Sequence, residues 1–86
     1  MIFVVESQSV PGADRAAVQG EEYPLIEQLR SEGFFRDIFV REDAKGAFSV
    51  VDAPSEQHVR DKLATLPFVK AGVVRIASVV EVKSRW

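Results

Sequence analysis

Phe34-Phe35-Arg36-Asp37-Ile38-Phe39-Val40-Arg41-Glu42, then Asp43-Ala44-Lys45-Gly46, then Ala47-Phe48-Ser49-Val50-Val51-Asp52-Ala53, is the stretch from which the fold can be read. Two runs rich in β-branched and aromatic residues flank a short polar turn, which is the pattern of a β-hairpin. The strands are expected at 34–42 and 46–53. Downstream, Pro54-Ser55 opens a helix with Ser55 at the N-cap, and Val59, Leu63 and Leu66 form its apolar stripe. Pro67 is expected to end it. A last strand is predicted over 73–83, with Ser84-Arg85-Trp86 as a short tail; Trp86 either packs on a partner or stands in solvent. Upstream, residues 15–32 read as a helix: Val18, Leu25, Ile26 and Leu29 recur at helical spacing, Glu27 and Arg30 pair at i,i+3, and Gly33 sits where the chain must stop. Asp14 is the expected N-cap. Gly20 and Pro24 lie inside this helix, so a kink or a second start near Tyr23-Pro24 is predicted. Residues 1–6 read as the first strand.

The order is therefore βαββαβ in one domain spanning 1–86. Right-handed crossovers turn that order into an α+β fold, a four-stranded antiparallel sheet with two helices on one face, the ferredoxin-like arrangement. A sheet covered on one face alternates apolar and polar residues along its strands. These strands do not. Ile2 and Val4 oppose Phe3 and Val5; Ile38 and Val40 oppose Phe35 and Phe39; Phe48 and Val50 oppose Ala47 and Val51; Val74, Ile76, Val80 and Val82 oppose Val73, Ala77 and Val79. Both faces want burial, and a second copy packing sheet to sheet is the expected answer.

Composition agrees. The chain has 86 residues, 47% of them hydrophobic, and so short a chain buries only about 60–65% of its unfolded surface alone. Eleven basic residues against 13 acidic ones give a net charge of −2, which argues against nucleic acid or anionic membrane as a partner. The absence of cysteine removes disulfides, thiolate metal sites and a thiol nucleophile. The apolar opening at 1–5 is too short for a secretion signal, and no run approaches the ~20 apolar residues of a membrane span. A cytoplasmic protein is expected. RNA-recognition modules share the element order, yet Lys45–Val50 offers only Phe48 where paired aromatics stack bases. His58, the single histidine, falls in the first turn of the second helix with no ligand-like spacing around it. Among the polar residues that interrupt the strands, a buried arginine can grip a carboxylate and a buried carboxylate can serve as a base.

From Leu29 onward the chain resembles muconolactone isomerase. Leu29-Arg30-Ser31-Glu32-Gly33 closing the first helix, the aromatic before Arg36, Phe48-Ser49-Val50-Val51-Asp52-Ala53-Pro54-Ser55, and Leu63-Ala64-Thr65-Leu66-Pro67-Phe68 occur in that family's order and spacing, over about residues 22–82. The resemblance implies a dimeric α/β barrel, often assembled into larger rings, that acts in aromatic-compound catabolism without metal or cofactor. Its reaction moves a double bond within a small carboxylated lactone. Glu22 matches an acidic position on the first helix and is the candidate base. Arg36 matches a basic position at the start of the second strand and is the candidate anion clamp, with Arg41 as a further candidate and Arg75 behind it. Phe39 and Phe48, with Phe35, are candidates for an aromatic wall against the ligand. The family's strand-one and hairpin histidines read Val4, Asp37 and Ala44 here, Tyr23 and Pro24 replace ordinary helix residues, and the C-terminal tail is shorter. Two alternatives therefore stay open: a cofactor-free barrel oxygenase or cyclase, and a non-catalytic ligand-binding or assembly module.

Overall fold

The computed structural model describes residues 1–86. The elements are β1 (Ile2–Ser9), α1 (Gln19–Ser31), β2 (Phe35–Val40), β3 (Gly46–Asp52), α2 (Glu56–Leu63), α3 (Pro67–Lys70) and β4 (Val74–Val82). The strands form one antiparallel sheet in the order β2-β3-β1-β4, so the two central strands are the first and third in sequence. This is the expected ferredoxin-like α+β fold, with a third, short helix added.

Several expected boundaries move, each for a local reason. The first helix starts at Gln19 rather than Arg15, and Asp14 caps a separate turn by accepting the Ala17 N–H at 3.3 Å. Pro24 lies inside α1 without interrupting it, in the second turn, where only the bond back to Gly20 is forfeited. Ser55 is the N-cap of α2, its Oγ accepting the His58 N–H at 3.1 Å. Pro67 does not end that helix. α2 stops at Leu63, and Pro67 opens α3 at the first helical position, where a missing N–H costs nothing.

Strand phase also departs from simple alternation. Directly paired residues of an antiparallel sheet share a face. Phe3, Val5 and Ser7 pair with Val51, Ser49 and Ala47, and this set faces the helices. At the β2–β3 edge Phe35 pairs with Val51 but Asp37 with Val50, so Arg36 is an extra residue in a bulge. Phe35 therefore joins Ile38 and Val40 on the helix side, while Phe39, paired with Phe48, turns to the open face. On the other edge Glu6 pairs with Ser78 and Ser7 with Ile76, making Ala77 a second bulge and placing Val79 inward beside Ile76.

The core lies between sheet and helices. Phe3, Val5, Val51 and Val79 from the sheet meet Leu29 of α1, Val59 and Leu63 of α2, and Leu66. Each such burial is worth about 1.5–3 kcal/mol. The open face is apolar as expected, with Ile2, Val4 and Val50 partly buried and Phe39, Phe48, Val80 and Val82 exposed in the single chain. No helix is long and apolar enough to cross a membrane. Trp86 is fully exposed.

Gly46 opens β3 against β1 so closely that a Cβ there would lie 2.2 Å from the Ser7 carbonyl oxygen. Gly46→Ala is expected to destabilise the chain by about 2 kcal/mol, because backbone rather than a side-chain tip must move. Urea unfolding of the two proteins measures it.

Candidate functional site

The inner face of α1 carries Leu29 and, seven residues earlier, Glu22; both are buried, Glu22 to 3% exposure. Around it lie apolar side chains, and its hydrogen-bond partner comes from a distant part of the chain. The Phe68 N–H donates to Glu22 Oε1 at 2.9 Å. Phe68 is the second residue of α3, whose first-turn amides have no partner within the helix. A carboxylate oxygen there satisfies an orphan donor and meets the positive end of a short helix.

Glu22 lines a small cavity of ≈ 70 Å³ between helices and sheet. Nine of its 12 lining residues are hydrophobic; the other three are Glu22, Ser7 and Ser49. Glu22 and Ser49 are also the chain's two buried polar residues, so its buried polarity is concentrated in this one place. Burial pushes the Glu22 pKa above the ordinary carboxylate range, against the opposing pull of the Phe68 hydrogen bond and of Arg15. Arg15 does not line the cavity. Its guanidinium stacks on the Phe68 ring, 4.6 Å from the centroid, and Tyr23 meets the same ring edge-on at 6.3 Å.

The other candidate residues lie elsewhere. Arg36, thrown out by its bulge, pairs with Asp52 at 3.5 Å, and Asp52 also accepts the Met1 amino group at 3.2 Å. It borders two clefts: one of ≈ 670 Å³ shared with Asp52, His58 and Lys62, and one of ≈ 330 Å³ between α1 and β2 shared with Arg30. Neither contains Glu22, although the smaller shares Phe35 and Ile38 with the Glu22 cavity. Arg41 is committed to the hairpin turn, where its Nη2 lies 2.6 Å from Asp43 Oδ2. The Lys45 N–H bonded to the same carboxylate holds the Asp43 pKa low, with Arg41 contributing. Arg75 bonds to Gln8. Phe39 and Phe48 form a cross-strand pair on the open face, away from the cavity; Phe35 alone of the three aromatics lines it. Glu22, Arg36, Arg41, Phe39 and Phe48 are thus not brought to one site.

Ser49 and the Phe68 amide were not legible as site groups. The available signal for Ser49 is a hydroxyl at an inward position of β3 between the apolar inward residues Ala47 and Val51. An amide carries no sequence signal at all.

No family model matches the chain, and no curated protein matches it at the level of sequence. Among solved structures, it matches 5-chloro-2-hydroxyhydroquinone dehydrochlorinase from Burkholderia phenoliruptrix, in complex with 2,5-dihydroxybenzoquinone, with a TM-score of 0.73 and 21% identity over 98% of this chain and 94% of that one. The two chains share a fold. That likeness runs almost end to end.

The raised Glu22 pKa fixes a sign for stability. The folded chain binds more protons than the unfolded one between the two pKa values, so the contribution is fully present below the unfolded pKa and is lost as pH rises through the folded pKa. Glu22→Gln removes the ionisation and keeps an oxygen for the Phe68 amide. The variant is expected to melt above the parent at about pH 8, with the gap closing toward about pH 4. Thermal unfolding across that range checks it; a gap that widens on acidification contradicts it.

Proposed function

We propose that the chain is a cofactor-independent enzyme that moves a proton within a small ring compound, with Glu22 as the group that takes and returns it. The observation that carries this reading is the Glu22 carboxyl set in an otherwise apolar cavity and held by one backbone amide. A carboxyl whose pKa is raised by burial can accept a carbon-bound proton and release it again, which general acid–base catalysis requires. For a butenolide, ionised Glu22 removes a proton from the carbon beside the lactone carbonyl. The C–H electron pair delocalises through the ring onto the carbonyl oxygen, giving a dienolate. The same carboxylic acid then protonates the far end of the dienolate, and the double bond has moved with nothing oxidised or reduced. This is the muconolactone isomerase type of reaction, and with it goes a cytoplasmic role in breaking down aromatic compounds. The solved structure of the same fold, named as a dehydrochlorinase and in complex with a dihydroxybenzoquinone, supports a small ring compound as the ligand.

The cavity does not take a ring as it stands, since an apolar cavity that binds benzene measures about 150 Å³. Phe35 and Ile38 line both this cavity and the 330 Å³ cleft beside α1, and Ile38, on edge strand β2, is 36% exposed. On this reading, side-chain movement at that shared wall opens one space to the other when a ring binds. Glu22→Gln is expected to lower kcat for butenolide isomerisation by about 10²–10⁴-fold with KM little changed. Unchanged turnover in the variant removes Glu22 from the reaction.

The same reading includes a homodimer, the unit of a larger ring in related assemblies, closed through the open sheet face. Support comes from the run of Phe39, Phe48, Val80 and Val82, four large apolar side chains exposed together on a face with no helix of its own. Phe48→Asp with Val80→Lys places charges at its middle and is expected to convert a sedimenting dimer into a monomer; a parent that sediments as a monomer overturns the arrangement.

A further inference from the structure

Arg15 stands on the segment between β1 and α1, ahead of the helix that carries Glu22. It is exposed, and two contacts seat it. Its Nη1 donates to Ser9 Oγ at 3.4 Å, and its guanidinium lies over the Phe68 ring, 4.6 Å from the centroid. Tyr23 of α1 meets the same ring edge-on. Arg30, Arg36, Arg41 and Arg60 each face a carboxylate; Arg15 faces none. A guanidinium seated on a ring and left without an anion keeps its charge available to other groups nearby.

Phe68 joins Arg15 to Glu22. Its ring carries the guanidinium, and its N–H donates to Glu22 Oε1 at 2.9 Å. The helix it belongs to, α3, has four residues and no side-chain cap, so little inside it fixes the direction of that N–H. The contacts of the ring with Arg15 and Tyr23 supply the hold. The cavity walls from β1, β2, β3, α2, α3 and β4 bring no charged side chain to Glu22. Glu21 and Lys70 line a separate cleft, and the cleft beside α1 sets Glu27 and Asp37 against Arg30 and Arg36. Burial favours the neutral acid, which cannot take a proton from carbon. The Phe68 amide and the Arg15 charge are the two influences that oppose it.

We propose that Arg15 is a positioning residue for Glu22: it holds the Phe68 ring, and with it the amide, toward the carboxylate, and its charge keeps that carboxylate ready to accept a proton. It touches neither substrate nor reacting atom. Its part in turnover rests on the proton-transfer reading above, while its effect on Glu22 exists in the free protein.

The test follows the carbon chemical shift of the Glu22 carboxyl against pH in the parent, Arg15→Met and Arg15→Lys, with Phe68 amide exchange and butenolide turnover measured on the same proteins. Arg15→Met removes the charge and keeps an unbranched side chain over the ring. Glu22 is expected to titrate at higher pH in this variant. The ratio of ionised to neutral Glu22 at a fixed pH falls about two- to fivefold, the size of effect an exposed charge produces. In about 1 M NaCl, where charges are screened beyond about 3 Å, the titration of the parent is expected to move up toward that of the variant. Arg15→Lys keeps the charge and loses the flat stack, and is expected to titrate nearer the parent. The Phe68 amide is expected to exchange about two- to fivefold faster in Arg15→Met, as the loss of one exposed cation–π contact allows. An unmoved Glu22 titration, an equal shift in both variants, a shift that salt does not narrow, or an unchanged Phe68 exchange overturns the inference. In turnover, the acid limb of kcat/KM is expected to move up with Glu22 and the rates to converge above it. A limb that stays in place while the carboxyl titration moves defeats the proton-transfer reading and leaves the coupling of Arg15 to Glu22 supported.

Discussion

A carboxylate buried among apolar side chains is held in place by an amide 46 residues away in sequence. Glu22 belongs to α1 and Phe68 to α3, and their hydrogen bond joins the two crossover connections of the fold over the inner face of the sheet. Without it the first turn of α3 keeps an unsatisfied donor and α1 keeps an unpaired buried charge, and either defect costs more than the net worth of an ordinary hydrogen bond. The same bond holds in place the one ionisable side chain of the cavity wall. Arg15 on the Phe68 ring and Tyr23 at its edge close the outer side of the same segment.

The sheet divides two tasks between its faces. Its helix side supplies the core and, at Ser7 and Ser49, the hydroxyls of the cavity wall. Its open side supplies apolar area that one chain leaves half exposed. The excess of hydrophobic residues over what so small a core can use is therefore localised: it lies on the face that two crossover helices cannot reach.

The βαββαβ order, the antiparallel sheet and the Ser55 cap were legible from spacing and composition, because capping and periodicity are local; Glu22 stood out only through the family resemblance, since nothing in its spacing separates a buried helix carboxylate from a solvated one. The strand faces beyond each bulge were not. Arg36 and Ala77 each insert one residue that no local pattern announces, and each reverses the inside and outside of everything after it. Phe39 was read as a ligand wall and lies on the open face for that reason. Arg36 and Arg41 looked available as clamps because a sequence does not show which acid stands across a strand or at the end of a turn; Asp52 and Asp43 do. Pro67 looked like a stop because proline both ends and begins helices, and only the packing of Phe68 on α1 decides which.

The Arg36 bulge has a consequence for how such a chain can change over time. Deleting that one residue would leave Asp37, Ile38 and Phe39 opposite Val50, Ser49 and Phe48, so β2 would become a plain strand with its downstream faces unchanged. Keeping the residue but drawing it into the ladder opposite Val50 would slide the rest by one, turning Phe39 to the cavity wall and Ile38 to the open face. A slip of one pair would thus alter the pocket and the open face together, while the loss of one codon here would alter neither.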